Sequence, residues 1–118
     1  MKAELRALHS PDLADLEHGR PPDPANFGIL VQAMIGPEDE EGEESFDILV
    51  CTPSWLANEV PTDGHLWGRH YLFVTRYDFA AIESAVRKLC DSAEGPDWSA
   101  VAAVLARYGA WEFENYQE

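Results

Sequence analysis

The chain has 118 residues and a formal net charge of −14, from 22 Asp and Glu residues against 8 Lys and Arg residues. This charge argues against binding to nucleic acid or to anionic membrane surfaces, because both attract basic proteins. Hydrophobic residues make up 46% of the chain, which is typical of a globular protein rather than an acidic disordered one. The length predicts a single domain over residues 1–118 that folds without a metal or a disulfide.

The cysteines and the N-terminus indicate the cellular compartment of the protein. Cys51 and Cys90 are too few for a disulfide framework, and each lies in an apolar stretch. We interpret them as free buried thiols, which suits the reducing cytosol. Residues 1–6 contain no apolar block of the signal-peptide type, and no apolar run is long enough to span a bilayer. The expected location is therefore cytoplasmic.

The first half of the chain predicts three strands. Alternation over 2–9 indicates a strand exposed on one side, with Leu8 on the polar face. The proline-rich stretch 10–26 is expected to form a long irregular loop. The apolar run 27–35 fits a buried strand or a short helix, and its flanking glycines favour the strand. Residues 45–52 have the alternation and the branched side chains of a strand, so the second and third strands should pair as an antiparallel hairpin.

The tip of this predicted hairpin carries the densest charge in the chain. Seven carboxylates and no Lys or Arg fall within residues 38–47. They are Glu38, Asp39, Glu40, Glu41, Glu43, Glu44 and Asp47. Mutual repulsion of like charges costs folding free energy, which suggests an acidic surface that projects into solvent toward a basic partner. Solubility alone is the alternative. A calcium loop is disfavoured, because its sixth position should be Gly and is Glu43 here.

The middle of the chain predicts a short helix and a fourth strand. Thr52 and Pro53 fit the N-cap and first residue of a helical turn over 53–59. Residues 60–68 read as a loop. The aromatic and branched residues of 69–75 then predict a strand.

The last third predicts two helices. Asp78 should cap a helix that runs to about Ser92. Asp97 should cap another that runs through Tyr108 with Tyr108 on its apolar side, ended by Gly109. The segment 110–118 is expected to add a final strand or pack as an extended chain. The order of elements predicts an α+β fold: a mostly antiparallel sheet of four to five strands with two C-terminal helices packed on one face.

No motif in the chain predicts catalysis. There is no Gly-x-Ser-x-Gly and no phosphate-binding Gly-rich loop, and the four histidines lack the spacing of a zinc site. We therefore expect no enzyme activity, no metal and no cofactor. Among the tryptophans, Trp55, Trp67 and Trp111 are candidate interface anchors, with packing against the sheet as the alternative. Trp98 is expected in the core.

Several separate blocks of the sequence resemble the immunity protein 8 family of bacterial polymorphic toxin systems. They are 26–37 (NFGILVQAMIGP), 42–53 (GEESFDILVCTP), Trp55-Leu56, His70-Tyr71-Leu72, Tyr77-Asp78, Gly95 with Trp98, and 111–114 (WEFE) with Tyr116-Gln117, together with 1–5 and 9–12 at the start of the chain. The blocks cover nearly the whole chain. None of them is a catalytic motif.

The resemblance implies a cytoplasmic antitoxin that binds and neutralises a cognate toxin domain. A nuclease is one kind of toxin whose basic groove would suit the carboxylates. Another reading remains open: a small enzyme or ligand-binding domain with a pocket under the loop 10–26, near His9 and His70. An inhibitor of a host protein that mimics DNA would share the acidic surface. The sequence leaves the toxin, its contact residues and the oligomeric state open.

Overall fold

The computed structural model describes residues 1–114, which form a five-stranded sheet and three helices. The strands are β1 (Ala3–His9), β2 (Gly28–Pro37), β3 (Glu44–Cys51), β4 (Tyr71–Phe73) and β5 (Ala110–Trp111). The helices are α1 (Pro53–Glu59), α2 (Phe79–Ser92) and α3 (Trp98–Leu105). The predicted tail segment 110–118 forms a strand only over β5, and residues 112–114 turn away from the extended conformation. Residues 115–118, with Tyr116, lie outside the described residues.

The sheet is mixed: three of the four strand pairings among the described residues are antiparallel, as predicted for most of the sheet, and one is parallel. β1, β2 and β3 pair antiparallel in that order, and β4 runs parallel to β3. β5 also pairs with β3, in the antiparallel sense. The predicted α+β class is thus confirmed, but the connection from β3 to β4 passes through α1 and a long loop. A connection of this length lets a strand return in the same direction, and it adds a third helix to the two C-terminal ones.

β1 contains an irregularity that the alternation did not predict. Its pairing with β2 shifts register between Leu5 and Ala7. An extra residue in one strand reverses the faces of all the side chains that follow. Leu8, expected on the polar face, consequently packs against the core.

The core lies between the sheet and the two longer helices. The inner side chains of β2 and β3 meet those of α2 and α3 in one cluster, with Val31, Val50 and Leu105 fully buried. Asp78 and Asp97 cap the two helices as predicted, each accepting a hydrogen bond from the third residue after it. Among the described residues, no helix has the length and apolar character needed to cross a membrane.

Two predicted elements are shorter in the structure. α3 ends at Leu105, and the amides of Tyr108 and Gly109 both bond to the Leu105 carbonyl in a tight turn. Tyr108, expected on the apolar side of α3, is 55% exposed as a result. β4 starts only at Tyr71, because His70 adopts a left-handed φ of 63° that interrupts the extended chain.

Candidate functional site: the acidic hairpin

The turn between β2 and β3, residues 38–43, and the start of β3 form what we call the acidic hairpin. Five of the seven carboxylates predicted as binding residues project from it into solvent: Glu38, Asp39, Glu40, Glu41 and Glu43. Glu44 and Asp47 lie in β3 and are half-buried. The sequence cluster therefore divides into a solvent-facing group and two strand residues with different surroundings.

Arg6 holds the backbone of the acidic hairpin. Its Nη2 donates to the carbonyl oxygens of Pro37 (2.6 Å) and Glu40 (2.8 Å), and its Nε lies 3.2 Å from Glu4 Oε1. None of the five exposed hairpin carboxylates forms an ion pair with another residue of the described chain. The nearby cation thus fixes the shape of the turn without neutralising its side chains.

Glu44 connects the base of the acidic hairpin to the C-terminal part of the fold. Its Oε1 accepts hydrogen bonds from the indole Nε1 of Trp98 (2.5 Å) and of Trp111 (3.3 Å). The ring of Trp111 also stacks on Phe46, with 6.3 Å between centroids. Two predicted binding residues, Glu44 and Trp111, are therefore partners of each other within the fold.

A second contact ties the same two regions together. The amide of Ser45 donates to Glu112 Oε1 at 2.7 Å, and the amide of Glu112 donates to the Ser45 carbonyl at 3.1 Å. An open cleft of about 470 Å³ lies between the acidic hairpin and this C-terminal segment. Its lining includes five acidic residues (Glu40, Glu41, Glu43, Glu44 and Glu112) and the aromatic residues Trp98 and Phe113.

This lining suits positively charged groups. Carboxylates attract a Lys or Arg side chain directly, and an aromatic face adds a cation–π contribution. Trp98, expected in the core, is partly buried and packs against it as well as lining the cleft. The sequence had not proposed Glu112 or Phe113 as binding residues. No local pattern could have found them, since they join the cleft only through the pairing of β5 with β3.

Asp47 has a separate environment. It pairs with Gln32 of β2 on one side and with Ala110 of β5 on the other. Its Oδ1 is buried without a hydrogen-bond partner among the described residues. Asp47 is thus enclosed by neighbouring strands, apart from the solvent-facing carboxylates.

The other two candidate tryptophans differ in exposure. Trp67 lies in the loop between α1 and β4 and is 90% exposed. Trp55, in α1, packs over β2 so closely that a Cβ at Gly28 would lie 2.4 Å from its ring. Of the three tryptophans predicted as interface anchors, Trp111 is therefore the one that contacts the acidic hairpin, through its hydrogen bond to Glu44.

The sequence of the chain matches one known protein family along nearly its whole length. A family model described as immunity protein 8 matches residues 3–116, nearly the whole chain. The chain belongs to this family. The resemblance predicted from the sequence blocks is confirmed. No curated protein and no solved structure shows significant similarity to the chain.

The pocket predicted for the ligand-binding alternative is present in this immunity protein, but without the two histidines expected beside it. A cavity of about 430 Å³ lies under the loop 10–26, lined by Pro21, Phe27 and Trp55 among others. Neither His9 nor His70 lines it. Nε2 of His70 lies 3.0 Å from the Ala106 carbonyl oxygen instead, so this cavity does not have the histidines that the ligand-binding alternative placed there.

The two cysteine thiols of the immunity protein are buried. Cys51 and Cys90 are free and buried, as predicted. Burial raises the pKa of Cys51, and burial together with nearby Asp91 raises the pKa of Cys90 to about 11, against a smaller opposing effect of Arg87. Thiols of this kind are poor nucleophiles at neutral pH. Within residues 1–114, no group of three or more His, Cys, Asp or Glu side chains could hold a metal ion.

Proposed function

We propose that this immunity protein binds a cognate bacterial toxin in the cytoplasm and neutralises it without chemistry of its own, with the acidic hairpin facing a basic site of the toxin. The observation that carries the proposal is the set of five exposed carboxylates on the hairpin, none of which has an ion-pair partner among the described residues. Membership of the family implies a toxin as the partner.

The charge of the chain supports fast capture of a basic partner. A net charge of −14 attracts a cationic surface before contact, and such steering raises association rates. Salt screens this attraction over about 8–10 Å at moderate ionic strength. Association with the toxin should therefore slow as salt is added.

The internal support of the acidic hairpin favours binding in a second way. Arg6 fixes the turn, and Glu44 and Ser45 anchor its base to Trp98 and Glu112. A surface that is already ordered loses less conformational entropy on binding. Charged groups held in this way can match a fixed pattern of basic groups, such as those that hold phosphates in a nuclease groove.

The test is the kinetics of binding to the toxin domain encoded beside this protein. A triple variant, Glu40→Lys, Glu41→Lys and Glu43→Lys, reverses the hairpin charge and leaves Glu44 in place, because Glu44 has indole partners to satisfy. We expect its association rate at low salt to fall by about tenfold or more, and its salt dependence to weaken.

The matched control carries the same charge change elsewhere. Glu17→Lys, Glu59→Lys and Asp91→Lys alter three exposed carboxylates outside the acidic hairpin. We expect a smaller loss of association rate in this control, since only the global charge changes. Equal losses in the two triple variants would remove the hairpin from the binding site, and an absence of binding by the unaltered protein would refute the proposed function.

A further inference from the structure

An apolar groove lies on the opposite edge of β3 from β2. It encloses about 300 Å³ and is lined by α2, by Ile48 of β3, by Tyr71 and Leu72 of β4, and by Tyr108. This volume is at the lower end of the range for binding pockets. No residue of the acidic hairpin lines it.

Two short strands, β4 and β5, share the edge of β3 that lies beside the groove. β4 pairs with Leu49–Cys51, and β5 pairs with Phe46 and Asp47. Ile48 falls between the two pairings and forms part of the groove wall.

The charge of the groove differs from that of the whole molecule. Among the described residues that line the groove, Lys88 of α2 is the single charged one, and none carries a carboxylate. Lys88 forms no ion pair with another residue in the described part of the chain. In a protein with 22 acidic residues, an apolar groove with an ammonium group is complementary to an apolar group that carries a negative charge.

The surroundings of the groove favour a protein as the occupant. Phe73, which neighbours the groove residue Leu72, is 54% exposed, and its ring lies 5.8 Å from that of Tyr71. Tyr108, at the groove itself, is 55% exposed. Exposed aromatic side chains beside a pocket are typical of interface anchors, and they extend the apolar surface beyond the groove.

We propose that this groove is a second docking surface for the toxin, which receives an apolar side chain of the toxin next to a carboxylate that pairs with Lys88. The inference rests on the proposed function, since it takes the toxin as the partner. The acidic hairpin then accelerates association, and the groove slows dissociation, because buried apolar contacts and a desolvated ion pair act mainly on the dissociation rate.

The experiment compares two adjacent charge reversals on α2. Lys88→Glu places a carboxylate in the groove, whereas Arg87→Glu makes the same change one residue away. Arg87 does not line the groove and pairs with Glu83 instead. Dissociation from the toxin domain encoded beside the protein is measured for both, with thermal unfolding followed by circular dichroism as the check on folding.

We expect Lys88→Glu to dissociate about tenfold faster or more, with its association rate changed no more than that of Arg87→Glu. Tyr108→Ala, which removes an exposed ring, is expected to speed dissociation as well. Equal dissociation rates for the two charge variants, with Tyr108→Ala unchanged, would overturn the groove proposal. Tight toxin binding by the unaltered protein in that same experiment would leave the proposed function standing.

Discussion

Glu44 Oε1 accepts a hydrogen bond of 2.5 Å from the indole Nε1 of Trp98, which lies 54 residues later in the chain. The same oxygen accepts from Trp111 Nε1 at 3.3 Å. One carboxylate of the acidic cluster therefore joins β3 to α3 and β5. Its neighbour Glu43 is exposed and makes no ion pair within the described chain, so two adjacent acidic residues have different roles.

The first prediction concerns this difference between Glu44 and Glu43. Glu44→Ala removes the acceptor of two indole N–H groups, and we expect the free energy of unfolding to fall by about 1–3 kcal/mol, the cost of leaving such donors unpaired. Glu43→Ala is the control, and its effect should stay within about 0.5 kcal/mol, as for other exposed positions. Urea unfolding followed by tryptophan fluorescence measures both, and equal effects would contradict the prediction.

A second prediction concerns two glycines that face each other at the acidic hairpin, Gly36 at the end of β2 and Gly42 in the turn. A Cβ added at Gly36 would lie 2.0 Å from the Gly42 carbonyl oxygen. Gly36→Ala must therefore push the two sides of the turn apart, at an expected cost of about 1–3 kcal/mol in the free energy of unfolding.

Gly42 offers the comparison. Its φ is +103° and no atom lies within 4 Å of the added Cβ, so Gly42→Ala should cost only backbone strain, about 1–2 kcal/mol. In the complex, Gly36→Ala should also slow association with the toxin, because it displaces the carboxylates. Denaturant titration measures the stability of both variants, and binding kinetics measure their association with the toxin. An unaltered association rate in Gly36→Ala would show that the shape of the turn is unimportant for toxin binding.

The third prediction is a pH dependence. Burial and Asp91 raise the pKa of Cys90 from 9.0 to about 11. A raised thiol pKa means that the folded chain keeps its proton while the unfolded chain loses it between these values. The contribution of Cys90 is therefore fully present below about pH 9 and declines as the pH rises toward 11, by about 2–3 kcal/mol in all.

The measurement is the free energy of unfolding across this alkaline range. Cys90→Ala should make the decline shallower, while the raised pKa of Cys51 leaves part of it in place. The unaltered protein at each pH is the reference, so other titrating groups cancel in the difference. Parallel curves for Cys90→Ala and the unaltered protein would exclude a contribution from the Cys90 thiol.

Local features of the fold could be predicted because they depend on residues close together in the chain. Thr52 and Pro53 begin α1, and Asp78 and Asp97 begin α2 and α3, since each cap bonds to an amide within three residues. The alternation of β3 and the apolar run of β2 predicted their hairpin, and five of the seven carboxylates lie at its tip as predicted. The blocks of sequence likewise sufficed to predict the family.

Features that join distant parts of the chain were decided by the tertiary structure. The sequence by itself determined where the carboxylates cluster. Only the folded chain separated Glu44, which bonds to two indoles, from the five carboxylates left in solvent. The parallel pairing of β4 with β3 and the pairing of β5 with the same strand likewise arise from contacts across the fold. Such contacts depend on how strands and helices pack, and local periodicity carries no information about partners many residues away.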